Sequence, residues 1–135
     1  MTETARTRAA MVSGMTPELL PGCYVFCTAR TPEEAAALAA QAIGTFREAE
    51  GLSAILPVEA AAALGCDLSA PMCCITLQVY SALDGVGLTA AVASALAAQG
   101  IACNVVAAFH HDHAFVPAEA ADRALAILRA VQANG

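Results

Sequence analysis

Two stretches of this chain can be laid on one another, and the match restricts the fold more than any other feature of the sequence. FREAEGLSAILPVEAAAAL, from Phe46, aligns with FHHDHAFVPAEAADRAL, from Phe109, so that Pro57 falls on Pro117 and Glu59 on Glu119. Around these segments each half reads strand, helix, strand, strand, helix. Such a βαββα unit is one strand short of a closed four-stranded layer, and too little chain follows the last helix to supply it. A sheet lacking an edge strand must borrow one or leave its polar backbone edge exposed. The halves are therefore expected to complete each other or to pair across a homodimer. The expected division is an N-terminal arm over residues 1–20, a first repeat over 21–68 and a second over 69–135.

Local signals support each element. Cys23 to Thr28 is an apolar run bounded by Pro21-Gly22, a strand signal. Thr31-Pro32-Glu33-Glu34 has the form of a capping box, with Pro32 at the first helical position, and predicts a helix to about Ala42. Ile43 to Glu50 and Leu52 to Leu56 read as strands joined near Gly51. Pro57 then opens a short helix closed by Gly65. Met72 to Tyr80 is the most strand-like run. Leu88, Val92 and Leu96 form an i, i+4, i+8 stripe that stops at Gly100, the pattern of an amphipathic helix. Ile101 to Phe109 and Ala114 to Val116 predict a hairpin, and Pro117 starts a final helix.

Composition narrows the functional classes. The net charge is −6 and all six basic residues are arginine, which argues against a polyanionic partner such as nucleic acid. No apolar run approaches the roughly 20 residues of a membrane helix, and the N-terminus lacks the apolar centre of a secretory signal. A cytoplasmic protein with no membrane partner is expected. Its six cysteines lie mostly in apolar runs, where free thiols behave as small hydrophobes. Cys23 and Cys27 share a face in either secondary structure, a spacing open to a redox pair or to plain packing. There is no nucleophile elbow, no Walker loop and no lysine, so neither a serine-hydrolase site nor a Schiff base is predicted, and no cofactor is called for.

SALDGVGLTAAVASALAAQGIACNVVA, followed by FHHDHAFV, resembles the ACT domain, above all the ACT repeats of aspartate kinases and cytosolic arginine sensors. The residues that carry the likeness are Asp84, Gly87 and Leu88 in the turn, Gly100 and Ile101 after the helix, Asn104 in the second strand, and Asp112 at the hairpin tip. With YVFCT, TFREAEGL and LP, the arrangement is similar to small stand-alone bacterial proteins with two ACT-like repeats, over about residues 21–131. The resemblance implies an α+β fold of two tandem ferredoxin-like repeats, antiparallel sheets covered by helices. It also implies a non-catalytic regulatory protein that binds a small effector, an amino acid by family habit, between repeats or across a dimer.

The candidate site follows from both lines of argument. Ser81, Asp84, Gly85, Val86, Gly87 and Leu88 form a glycine-containing turn into a helix, where free backbone N–H groups and the positive end of the helix dipole suit a carboxylate. The plain alternative is a strand-to-helix turn with Asp84 near the N-cap. Asn104 and Asp112 would fix an amino group or side chain; equally, one would brace a loop and the other be a solvated turn residue. His110, His111 and His113 around Asp112 raise a metal-dependent enzyme as a competing class, since His111 and His113 project to one face of an extended chain. No further ligand set accompanies them, and no metal is expected. A ligand-free interaction module is the third reading.

Overall fold

The structure, a computed structural model, describes residues 8–79 and 87–134. In chain order these form α1 (Arg8–Gly14), β1 (Thr16–Leu19), β2 (Tyr24–Ala29), α2 (Pro32–Gln41), β3 (Gly44–Glu48), β4 (Gly51–Pro57), α3 (Val58–Ala63), β5 (Met72–Gln78), α4 (Leu88–Ala97), β6 (Asn104–Ala107), β7 (Asp112–Pro117) and α5 (Ala121–Asn134), with one 3₁₀ turn at Ala118–Ala120. The β-α-β-β-α order expected for each half is present twice. The chain divides into two compact units, Pro21–Met72 and the combination of residues 1–20 with 73–135.

In the unit Pro21–Met72 the strand order is β3-β4-β2, all antiparallel. Period-two alternation turns Val25, Cys27 and Ala29 of β2, with Ala54 and Leu56 of β4, toward α2 and α3. There they join Leu38 and Ala61 in a core of small and branched side chains. The capping box of α2 is realised in full. The Glu34 N–H donates to Thr31 Oγ1 at 3.2 Å, and the Arg30 N–H donates to Glu34 Oε2 at 3.2 Å. Gly51 turns β3 into β4 with φ 145°, and a Cβ there would lie 2.1 Å from the Ala29 carbonyl oxygen, so only glycine fits. The other sheet face carries Phe26 and Phe46, 48% and 72% exposed.

In the second unit the order is β1-β5-β7-β6. The missing fourth strand comes from the start of the same chain: Thr16–Leu19 pairs antiparallel with β5, Pro17 opposite Leu77 and Leu19 opposite Ile75. The sequence assigns no strand to these residues, because TPEL is four residues long and holds a proline. What makes it a strand is the edge of β5. Leu88, Val92 and Leu96 of the predicted stripe are all buried, alongside Met11, Met15 and Leu128 from α1, its following turn and α5. Arg123 of α5 donates through Nη2 to the Gln99 carbonyl at 2.9 Å, placing a cation on the last carbonyls of α4.

Both hairpins share one register, and it corrects the sequence alignment. Phe46 faces Ser53 in the first, and Val106 faces His113 in the second; Gly44 faces Ile55, and Asn104 faces Phe115. With Pro57 on Pro117, the counterpart of Phe46 is therefore Val106, whereas Phe109 belongs to the turn. Matching phenylalanine to phenylalanine slips the alignment by three residues. The strand predicted from Ile101 is also shorter, starting at Asn104. Ile101 is instead spent closing α4: with Gly100 at φ 72°, the Ile101 N–H reaches the Leu96 carbonyl at 3.0 Å in a Schellman cap.

Candidate functional site

The start of α4 carries the strongest local signal for a ligand. Gly87 is its N-cap in the left-handed region at φ 109°, no side chain among the described residues caps the helix, and its first turn has no acidic residue. The contrast with α2 is direct. There the chain supplies its own hydroxyl and carboxylates, Thr31, Glu33 and Glu34, to the same kind of end. At α4 the Gly87 carbonyl accepts the Ala91 N–H at 2.9 Å, which is ordinary helix propagation. Leu88 is 4% exposed, so its side chain is core and only its backbone faces outward chemistry. Ser81, Asp84, Gly85 and Val86 lie outside the described residues.

The β6–β7 hairpin carries the rest of the predicted set. His111 Nδ1 lies 3.3 Å from the carbonyl oxygen of Val79, the residue that follows β5 and precedes the stretch 80–86. His113 Nδ1 lies 2.9 Å from Thr76 Oγ1, and Thr76 is a buried polar residue of β5. These two contacts bring the hairpin tip, and Asp112 with it, beside the chain that leads into the predicted loop. Burial, and then the neighbouring His111, hold the His113 imidazole below its ordinary pKa, while Asp112 acts in the opposite direction. Asn104 is not part of that cluster. It pairs with Phe115 while Asp112 pairs with Ala107, three positions along the strand, so the two side chains project from opposite faces about 10 Å apart along the hairpin.

Among the described residues no group of three His, Cys, Asp or Glu side chains is placed to hold an ion. His113 meets Thr76 of β5, His111 meets the Val79 carbonyl just after it, and His110 makes an edge contact with Phe109, ring centroids 5.0 Å apart. No helix among the described residues is long and apolar enough to cross a membrane. Sequence reasoning missed Thr76, the hydroxyl that anchors His113. Its only signal was a polar residue enclosed by apolar neighbours within the run MCCITLQVY.

Comparison with known proteins agrees with this architecture. Two separate family models, each describing the ACT domain, match residues 8–73 and 69–130. Among solved structures, a Vibrio cholerae protein of unknown function, described as a possible transport protein, is 43% identical over 92% of this chain and 94% of its own, with a TM-score of 0.79. An Agrobacterium tumefaciens protein is 21% identical, covering 87% of this chain and 89% of its own at a TM-score of 0.68. The regulatory subunit of aspartate kinase from Thermus thermophilus, at 14% identity, covers 87% and 98% of the two chains with a TM-score of 0.58. No curated protein matches the chain. Two βαββα repeats, each opened by its own family match and the second closed by a strand from the N-terminal segment, identify this chain as a member of the ACT domain family with two ACT repeats.

Proposed function

We propose that this protein is a non-catalytic sensor that binds an amino acid or a close relative through its second repeat and acts as a homodimer in the cytoplasm. The observation that carries the reading is the α4 N-terminus, a helix end entered through a left-handed glycine, with no side-chain cap among the described residues and no acidic residue in its first turn. A ligand carboxylate accepts from the backbone N–H groups of residues 84–88 there, favoured by the helix dipole. Asp112, beside the end of β5, takes the α-amino group. Asn104, exposed on the opposite face, serves a ligand held by the second copy. Binding shifts assembly or partner affinity by no more than the ligand's differential affinity for the two states. The structural likeness to a kinase regulatory subunit supports a regulatory role of this kind.

A thermal-shift screen against the twenty amino acids, with Zn²⁺ and EDTA in parallel wells, tests this. A ligand at about 100 times its dissociation constant adds roughly 2.7 kcal/mol to the folded state. We expect one or a few amino acids to raise Tm, and Gly87→Val or Asp112→Ala to abolish the response. Silence from every amino acid together with a strong Zn²⁺ response would replace this reading with the histidine cluster.

A further inference from the structure

Cys27 and Cys66 are far apart in sequence but adjacent in the unit Pro21–Met72. Cys27 sits in the middle of β2, opposite Ala54, on the face that α2 and α3 cover. Cys66 is delivered to the same place by the end of α3. Gly65, at φ 75°, reverses the chain, and the Cys66 N–H closes on the Ala61 carbonyl at 2.9 Å in a Schellman cap. Cys27 Sγ donates to the Val25 carbonyl at 3.9 Å, Cys66 lies near enough to raise the Cys27 pKa, and both side chains pack against the cluster Val25, Ala29, Leu38, Ala54, Leu56 and Ala61. Both are half-buried, so a small reagent has access to them. The sequence offers Cys23 as the partner of Cys27; the fold supplies Cys66 instead. None of the six cysteines is in a disulfide.

We propose that Cys27 and Cys66 form a reversible intramolecular disulfide when the protein meets a small disulfide oxidant, covalently joining the end of α3 to β2. The steps balance as thiol–disulfide exchange. The Cys66 thiolate attacks one sulfur of an oxidised glutathione-type disulfide, forming a mixed disulfide and releasing one small thiolate. Cys27 then gives up its proton and attacks the Cys66 sulfur, breaking the mixed bond and releasing a second thiolate. The two protons lost by the cysteines end on the two small thiols, so two protein thiols are oxidised as one reagent disulfide is reduced. Burial, and next the Cys66 thiol, push the Cys27 pKa up to about 12. Capping Cys66 in the first step removes the second of these causes, so Cys27 becomes a better nucleophile only once it has a target. Its residual burial keeps the reaction slow at neutral pH and faster as pH rises.

Incubation of the whole protein with oxidised glutathione, followed by alkylation, proteolysis without reductant and mass spectrometry, tests this. The expected product is the intact chain short of two hydrogens, with one dominant cross-linked peptide joining Cys27 to Cys66, reversed by dithiothreitol and formed several-fold faster at pH 9 than at pH 7. Cys27→Ser should stop at a mixed disulfide on Cys66, and Cys66→Ser should form no cross-link to Cys27. The wild-type peptide map needs no variant, so it stands even if either substitution misfolds. Stable glutathionylation of wild type without a cross-link, or a dominant cross-link through Cys23, Cys73, Cys74 or Cys103, overturns the assignment.

Discussion

Thr76 and His113 form one contact between neighbouring strands, and its energetics depend on protonation. The imidazole is held below its ordinary pKa of 6.5 by burial first and by His111 second. A histidine neutral in the folded state and freely protonated in the unfolded chain leaves stability intact above pH 6.5. As pH falls through and below that value the unfolded state binds the extra proton, and stability is lost until the folded-state pKa is reached. We therefore predict that Tm is flat from pH 8 to 7 and declines from 6.5 downward, and that His113→Gln flattens the decline. Differential scanning calorimetry across that range checks it. An unchanged slope in the variant would assign the decline to other groups.

The elements differ in how far they can be read without a structure, and the difference has physical causes. The α4 stripe and the α2 capping box are local codes, set by residues within one or two turns, and both are realised as read. β1 has no local code. Thr16–Leu19 is short, holds Pro17, and becomes a strand only because β5 leaves an edge open roughly 60 residues away. The three-residue slip in the repeat has a related origin. Residue identity favours Phe109, but register is decided by pairing along the whole hairpin, which sets Val106 in that place. The candidate site was legible in the same uneven way. The hairpin tip is brought beside the residue that follows β5, where His111 meets the Val79 carbonyl, while Asn104 and Asp112 are separated by a pleat that a one-dimensional pattern does not display. Met11 and Met15, 1% and 0% exposed, extend this argument to energetics. Replacing a buried Met with Ala costs about 2–5 kcal/mol, against about 5–15 kcal/mol for a whole domain. Met15→Ala should thus lower the urea midpoint markedly, and deletion of residues 1–20 should abolish cooperative unfolding of the second unit, followed by near-ultraviolet circular dichroism and urea titration.

At the scale of the whole molecule, the sparse charge and Ala-rich helices leave the exposed aromatics conspicuous. Phe46, on the β3 edge strand, is 72% exposed and shares its sheet face with Phe26 at 48%. Such rings bring about 150–250 Å² each when buried, and an uncovered edge strand is a template for pairing. In the homodimer proposed above, this face is the natural meeting surface. Phe46→Glu is predicted to convert the dimer to a monomer in sedimentation velocity with a stability change within about 0.5 kcal/mol, because the side chain is already in water. A dimer that persists in Phe46→Glu would move the interface elsewhere.

The borrowed strand also describes how the chain is wired. β5, α4, β6, β7, α5 and then β1 spell a complete βαββαβ sequence, except that its last letter is written at the front of the chain. The Gln132 side chain near the end of α5 donates to the Ser13 carbonyl at 3.2 Å and to Thr16 Oγ1 at 3.3 Å, so the two ends of that unit already meet. In genetic terms the second repeat is a circular permutant with the first repeat carried as an insert. Moving the codons for residues 8–20 behind Asn134 would turn it into a contiguous, exchangeable cassette.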